Sequence, residues 1–136
     1  MRAYRYDHIH LRSPDPDATA RFFETMFGAE VKRDIYPPGT LYPGQMRIAM
    51  RVGGQTVLIA PPHPDEPTAA EPRFPYYGLE HFGLTIDNLD EAVEELRSKG
   101  ADIAIGPLTR SPGLRLAFIR GPQGLMIEIV ERPRGS

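Results

Sequence analysis

The chain repeats itself, and that limits what it can fold into. His8-Ile-His-Leu resembles His81-Phe-Gly-Leu 73 residues later, Gly28-Ala-Glu-Val matches Gly100-Ala-Asp-Ile at an offset of 72, and Arg47-Ile-Ala-Met matches Arg115-Leu-Ala-Phe at an offset of 68. Three matches in the same order at nearly constant spacing mark a duplicated unit. With 136 residues in all, the two copies fit a single domain and are too short to stand as independent ones.

Each copy parses the same way. Residues 6–12 and 81–86 alternate or run apolar over a strand's length. In the first copy Asp15-Pro-Asp opens a helix, since Asp caps free N–H groups and Pro suits the first turn. Phe22, Phe23, Met26 and Phe27 share one face of it. In the second copy Asn88 or Asp87 caps, Leu89, Ala92, Val93 and Leu96 form the stripe, and Lys99-Gly100 ends the helix. Three strands follow each helix: residues 30–35, 45–52 and 55–60, then 102–105, 114–119 and 125–130. The Gly53-Gly54 pair and the Gly121-Pro-Gln-Gly124 run close the two hairpins. The expected fold is α+β, βαβββ twice, with unit one at 4–60, a linker at 61–79 and unit two at 80–131.

Composition narrows the chemistry. Without cysteine there are no disulfides and no thiolate ligands, so any metal is held by His, carboxylate, amide or water. A net charge of −2 gives no electrostatic case for nucleic acid or membrane. No run approaches the roughly 20 apolar residues that span a bilayer. The first ten residues show no apolar signal core, so a cytoplasmic location is expected. The 15 prolines cluster at 37–43 and 61–75. They predict two extended, fixed loops, whose Tyr36, Tyr42, Arg73, Tyr76 and Tyr77 either cover a cavity mouth or serve as rigid connectors.

Strand alternation puts Tyr6, His8 and His10 on one face, His81, Gly83 and Thr85 on another, and Met126, Glu128 and Val130 on a third. Glu128 interrupts the run Leu-Met-Ile-Glu-Ile-Val, where an uncompensated carboxylate costs several kcal/mol. Either a cation compensates it, or it lies on an outer face or pairs with an arginine. His8 and His81 occupy equivalent places in the two copies, so a pseudo-twofold arrangement brings both imidazoles to one point. Two imidazoles and a carboxylate then form a facial set typical of non-haem iron, which zinc, manganese, nickel or cobalt also accept. His10 shares the His8 face, as a hydrogen bonder or acid/base group, a packing residue or an alternative ligand. The Gly53-Gly54 turn aligns Ile48, Met50, Val57 and Ile59, which predicts an apolar, substrate-binding wall suited to an aromatic or alkyl substrate. Arg110, Arg115 and Arg120 read as a solvated face.

The motifs His8…Asp15-Pro-Asp-Ala…Phe22-Phe23…Phe27-Gly28, His81-Phe-Gly-Leu-Thr-Ile-Asp-Asn-Leu-Asp-Glu-Ala and Ala117-Phe-Ile-Arg-Gly-Pro-Gln-Gly-Leu-Met-Ile-Glu128 resemble the vicinal oxygen chelate superfamily. That group includes glyoxalase I, methylmalonyl-CoA epimerase, extradiol dioxygenases and the bleomycin and fosfomycin resistance proteins. The resemblance covers nearly the whole chain and implies an eight-stranded cleft, formed within one chain or across a homodimer. It implies metal ligands on the first and last strands of each unit, where His8, His81 and Glu128 match. The fourth place falls on Ile59, or on Ala60 if the register slips, and neither binds a metal. That departure weakens a glyoxalase or epimerase assignment. The remaining set resembles that of extradiol dioxygenases, which favours iron(II) and a catechol-like substrate bound through adjacent oxygens. Lyase or isomerase chemistry, and a metal-free drug-binding protein, are the alternatives. The family's frequent Asp-Pro-Asp-Gly turn is Gly121-Pro-Gln-Gly124 here, a change of turn only.

Overall fold

A computed structural model describes residues 1–133 of the chain. They divide into two compact units, Met1–Ala69 and a second from Ala70 onward. Among the described residues the element order is βαβββ twice, an α+β fold with eight strands.

The first unit contains β1 (Ile9–Arg12), α1 (Pro16–Phe27), β2 (Glu30–Ile35), β3 (Met46–Val52) and β4 (Gln55–Ala60). Its sheet order is β1-β4-β3-β2, with β1 parallel to β4 and the other pairs antiparallel. The Asp15 carboxylate accepts from the backbone N–H of Ala18 at 3.1 Å, and Gly28 ends the helix at φ +65°. That is a left-handed position which glycine reaches without a Cβ penalty. Phe23 and Ala20 of α1 are fully buried, as are Ile48, Met50, Val52, Val57 and Ile59 of β3 and β4, the strands against which α1 packs. Burying Phe23 alone is worth about 2–3 kcal/mol. Arg33 of β2 reaches the same helix, with Nε 2.6 Å from Asp17 and Nη2 2.7 Å from Glu24. The first strand is shorter than the expected 6–12, because the ladder to β4 opens at Ile9 and Val57. His8 therefore lies one residue outside it.

The second unit contains β5 (His81–Thr85), α2 (Leu89–Ser98), β6 (Asp102–Ser111), β7 (Leu114–Arg120), a 3-10 turn (Pro122–Gly124) and β8 (Met126–Glu131). Its order, β5-β8-β7-β6, repeats that of the first sheet. Asn88 is the cap, accepting from Glu91 N–H at 3.1 Å, and the Glu131 carboxylate receives the Leu89 N–H at 2.9 Å. Leu89, Val93 and Leu96 are buried on the helix side of the sheet. Strand β6 continues past the expected end at Ile105, through Gly106 and Pro107. Register shifts on both sides of Ile105 carry the strand through. Gly106 sits at φ +84°, and a Cβ there would lie 2.6 Å from the Leu116 carbonyl. The Gly-Pro pair thus marks a bulge rather than a strand end.

Neither helix is long and apolar enough to cross a membrane, among the described residues.

Candidate metal and substrate site

In the second unit, parallel pairing of β5 with β8 sets Gly83 opposite Glu128 and His81 opposite Met126. His81 and Glu128 emerge on the face away from α2, with His81 Nε2 3.8 Å from Glu128 Oε2. That is too long for a hydrogen bond. Two donors each about 2.1 Å from one divalent ion lie roughly 3–3.4 Å apart, so a shift well under 1 Å brings this pair to ligating distance. The other ring nitrogen is engaged, since His81 Nδ1 lies 2.8 Å from Glu80 Oε1. An imidazole nitrogen with a free lone pair beside a carboxylate is a donor set that fits a divalent metal.

Gly83 makes room for this carboxylate. A Cβ at position 83 would stand 3.3 Å from Glu128 Oε1, so a methyl group would nudge the side chain and a branched one would displace it. Gly83→Val is therefore expected to lower zinc affinity at least tenfold while the far-ultraviolet dichroism stays that of the wild type. Titration of both proteins with zinc, followed by calorimetry, checks this.

An apolar wall stands beside the pair, built of other residues than those expected. The His81 ring meets Phe118 edge-on at 4.9 Å, and Phe118 packs against Phe74 at 5.7 Å. Phe118 joins Leu116 and Met126 in a cluster that Phe74, Ala104, Ile105 and Leu108 flank. Alternation along β7 puts Leu116 and Phe118 on the Glu128 face, a signal present in the sequence and overlooked there. The expected wall of Ile48, Met50 and Ile59 is instead core, each at most 2% exposed. The same alternation that aligns these three turns them toward α1.

The opposite face of the first sheet carries His10. Its row runs His10, Leu58, Ala49, Lys32 across all four strands. These residues, with Asp34, Tyr36, Arg47 and Ile48, line an open groove of about 400 Å³. Arg47 grips Asp34 through Nε at 2.8 Å and Nη2 at 3.0 Å. The His10 imidazole is held below its ordinary pKa, first by burial and then by Arg12 and His8. Its ring lies 6.2 Å from that of His8, edge-on. His8 also pairs through Nδ1 with the preceding acid, Asp7.

The ladders correct the fourth ligand place. His10 faces Leu58 as Gly83 faces Glu128, so the counterpart of Glu128 is Leu58, one residue before the expected Ile59. A leucine cannot ligate either.

Of the Pro-rich loop residues, Tyr42 is buried and takes a hydrogen bond from Arg12 Nη1 at 2.9 Å; the same nitrogen donates to the Pro61 carbonyl at 2.6 Å. Tyr77 is fully exposed. Among the described residues no three His, Asp or Glu side chains gather closely enough to form a complete metal site. The structure brings together His81 and Glu128 within the second unit, and His8 belongs to the first.

A model of the Glyoxalase/Bleomycin resistance protein/Dioxygenase superfamily matches residues 5–129. The uncharacterized protein YwkD of Bacillus subtilis (strain 168) is 29% identical over 128 residues, covering 92% of this chain and 94% of its own length. The crystal structure of a glyoxalase family protein from Enterococcus faecalis superposes with a TM-score of 0.70 at 22% identity, over 93% of this chain and 97% of that one. The fosfomycin resistance protein FosX from Listeria monocytogenes, solved with Mn(II) and sulfate, gives 0.68 at 14% identity, over 98% and 94% of the two chains.

Proposed function

The chain belongs to the Glyoxalase/Bleomycin resistance protein/Dioxygenase superfamily, and from that premise we propose that it is a divalent-metal-dependent enzyme. It acts on a small substrate held through two neighbouring oxygens. The observation that carries this reading is the His81–Glu128 pair, 3.8 Å apart on adjacent parallel strands. In this reading His81 Nε2 and Glu128 supply two ligands within the second unit, and the fold relative FosX, solved with Mn(II), is consistent with a metal on this scaffold.

The ion, when bound, supplies Lewis-acid polarisation of the substrate's oxygens. The remaining work falls to the chain's own side chains. Phe118, edge-on to the His81 ring and backed by Leu116 and Met126, gives the site an apolar floor suited to an aromatic or alkyl substrate, and its low polarity strengthens each electrostatic contact beside it. His10, held below its ordinary pKa by burial, Arg12 and His8, is suited to take up or return a proton, as a base that stays uncharged near neutral pH.

Leu58 at the fourth place favours one form of the chemistry. Two imidazoles and one carboxylate, with no second carboxylate to abstract a proton, match iron(II) and the ring opening of a catechol by O₂ better than an isomerase or lyase.

Metal analysis of protein purified without added ions is expected to give one divalent ion per chain, and oxygen uptake with iron(II) is expected from a panel of catechols. A chain that takes up no zinc, iron or manganese sinks the metal-enzyme reading and leaves the drug-binding alternative. A loaded chain that is inert to catechols but turns over the glutathione–methylglyoxal adduct moves the assignment to a lyase.

A further inference from the structure

We propose that Glu80, and its counterpart Asp7, are positioning residues. Each accepts the Nδ1–H of the histidine that follows it, which leaves the Nε2 lone pair of His81 and of His8 open to a metal ion. This deepens the metal-site reading and rests on it.

The geometry starts from an irregularity. Neighbouring residues in a strand point to opposite faces, so an acid next to a histidine would ordinarily lie out of its reach. Glu80 precedes β5, which begins at His81, and Asp7 precedes β1, which begins at Ile9. Both acids are thus free of the alternation and turn toward the ring beside them. Glu80 Oε1 lies 2.8 Å from His81 Nδ1, and Asp7 Oδ2 bonds His8 Nδ1 in the same manner. A carboxylate only accepts, so Nδ1 carries the hydrogen in each pair, and a neutral imidazole with its one N–H there has a bare Nε2.

The Glu80 pair is itself secured. The Tyr76 hydroxyl donates to the Glu80 carbonyl at 3.0 Å, and Phe118 stands edge-on to the His81 ring at 4.9 Å. His63 provides a contrast within the same chain: its Nδ1 accepts the backbone N–H groups of Asp65 and Glu66, both at 3.0 Å. That fixes the opposite tautomer, with the proton on Nε2. Of the four histidines in the chain, the two at the start of each unit's first strand, His8 just before β1 and His81 opening β5, share one arrangement.

Long-range ¹H–¹⁵N correlation spectra of metal-free, ¹⁵N-histidine-labelled protein at pH 8.5 read the tautomers directly. His8 and His81 are expected as Nδ1–H and His63 as Nε2–H. Glu80→Ala is expected to move His81 to a tautomer mixture without moving His8, and to weaken zinc binding about 10- to 100-fold. Glu80→Gln, whose amide oxygen still accepts from Nδ1–H, is expected to recover the tautomer and part of the affinity. An Nε2–H signal for His81 in the wild type overturns the proposal. So does a Glu80→Ala variant that binds zinc within twofold of a zinc-binding wild type, which leaves the metal site standing and removes only the positioning role. A wild type with the Nδ1–H tautomer that binds no zinc overturns the metal site itself.

Discussion

Glu128→Gln is expected to lower zinc or iron(II) affinity by about two orders of magnitude or more, well beyond what loss of a supporting hydrogen bond costs. The metal-free variant is expected to melt at least as high as the wild type. Glutamine keeps the shape and removes the charge, and an anionic oxygen is what a hard divalent ion seeks from this position. The fold is expected to tolerate the change because, among the described residues, the Glu128 carboxylate makes no hydrogen bond. It faces Gly83, its ion-pair partner His81 is 3.8 Å away, and its neighbours Phe118 and Met126 are apolar. Removing a charge from such surroundings relieves desolvation. Zinc titration beside thermal melting separates the two effects. Unchanged affinity in a folded variant would move the site elsewhere, and a collapse of the melting temperature would make Glu128 structural.

Ile59→Ala is expected to do the reverse. Ile59 is 1% exposed and stands opposite the equally buried Ile48 in the β3–β4 ladder, so truncation leaves a cavity and costs about 2–5 kcal/mol. For a chain of this size that is a fall in Tm of roughly 6–20 °C. Zinc affinity of the folded variant should match the wild type within about twofold, since sites with no shared partners behave additively. A variant that melts normally but loses substrate affinity would restore Ile59 to a binding wall.

That contrast marks where the sequence was legible. Duplication, helix caps and hairpin glycines are local signals, and they set the element order: Asp15 and Asn88 cap as their side chains require. The Glu128 anomaly is local too, one charge in an apolar strand. Sidedness is different. Strand β4 carries apolar residues on both faces, so alternation aligns its Ile59 with Ile48 and Met50 of β3 without saying which side a helix covers. Only packing against α1 decides that, and the same ambiguity hid Phe118. Register between strands distant in sequence is likewise non-local, which is why the counterpart of Glu128 was placed at Ile59 rather than Leu58. The acids at Asp7 and Glu80 stood in plain view beside their histidines. Their reach depends on where β1 and β5 begin, and strand ends are poorly marked in sequence.

The cross-strand rungs His10–Leu58 and Gly83–Glu128 have a consequence for the ancestry of the two copies. The strand order has stayed the same in both while the side chains at this rung have not. Where one half sets a glycine beside a carboxylate, the other sets an imidazole beside a leucine. Two exchanges on neighbouring strands, with the backbone pairing kept, are enough to make the two copies chemically unlike.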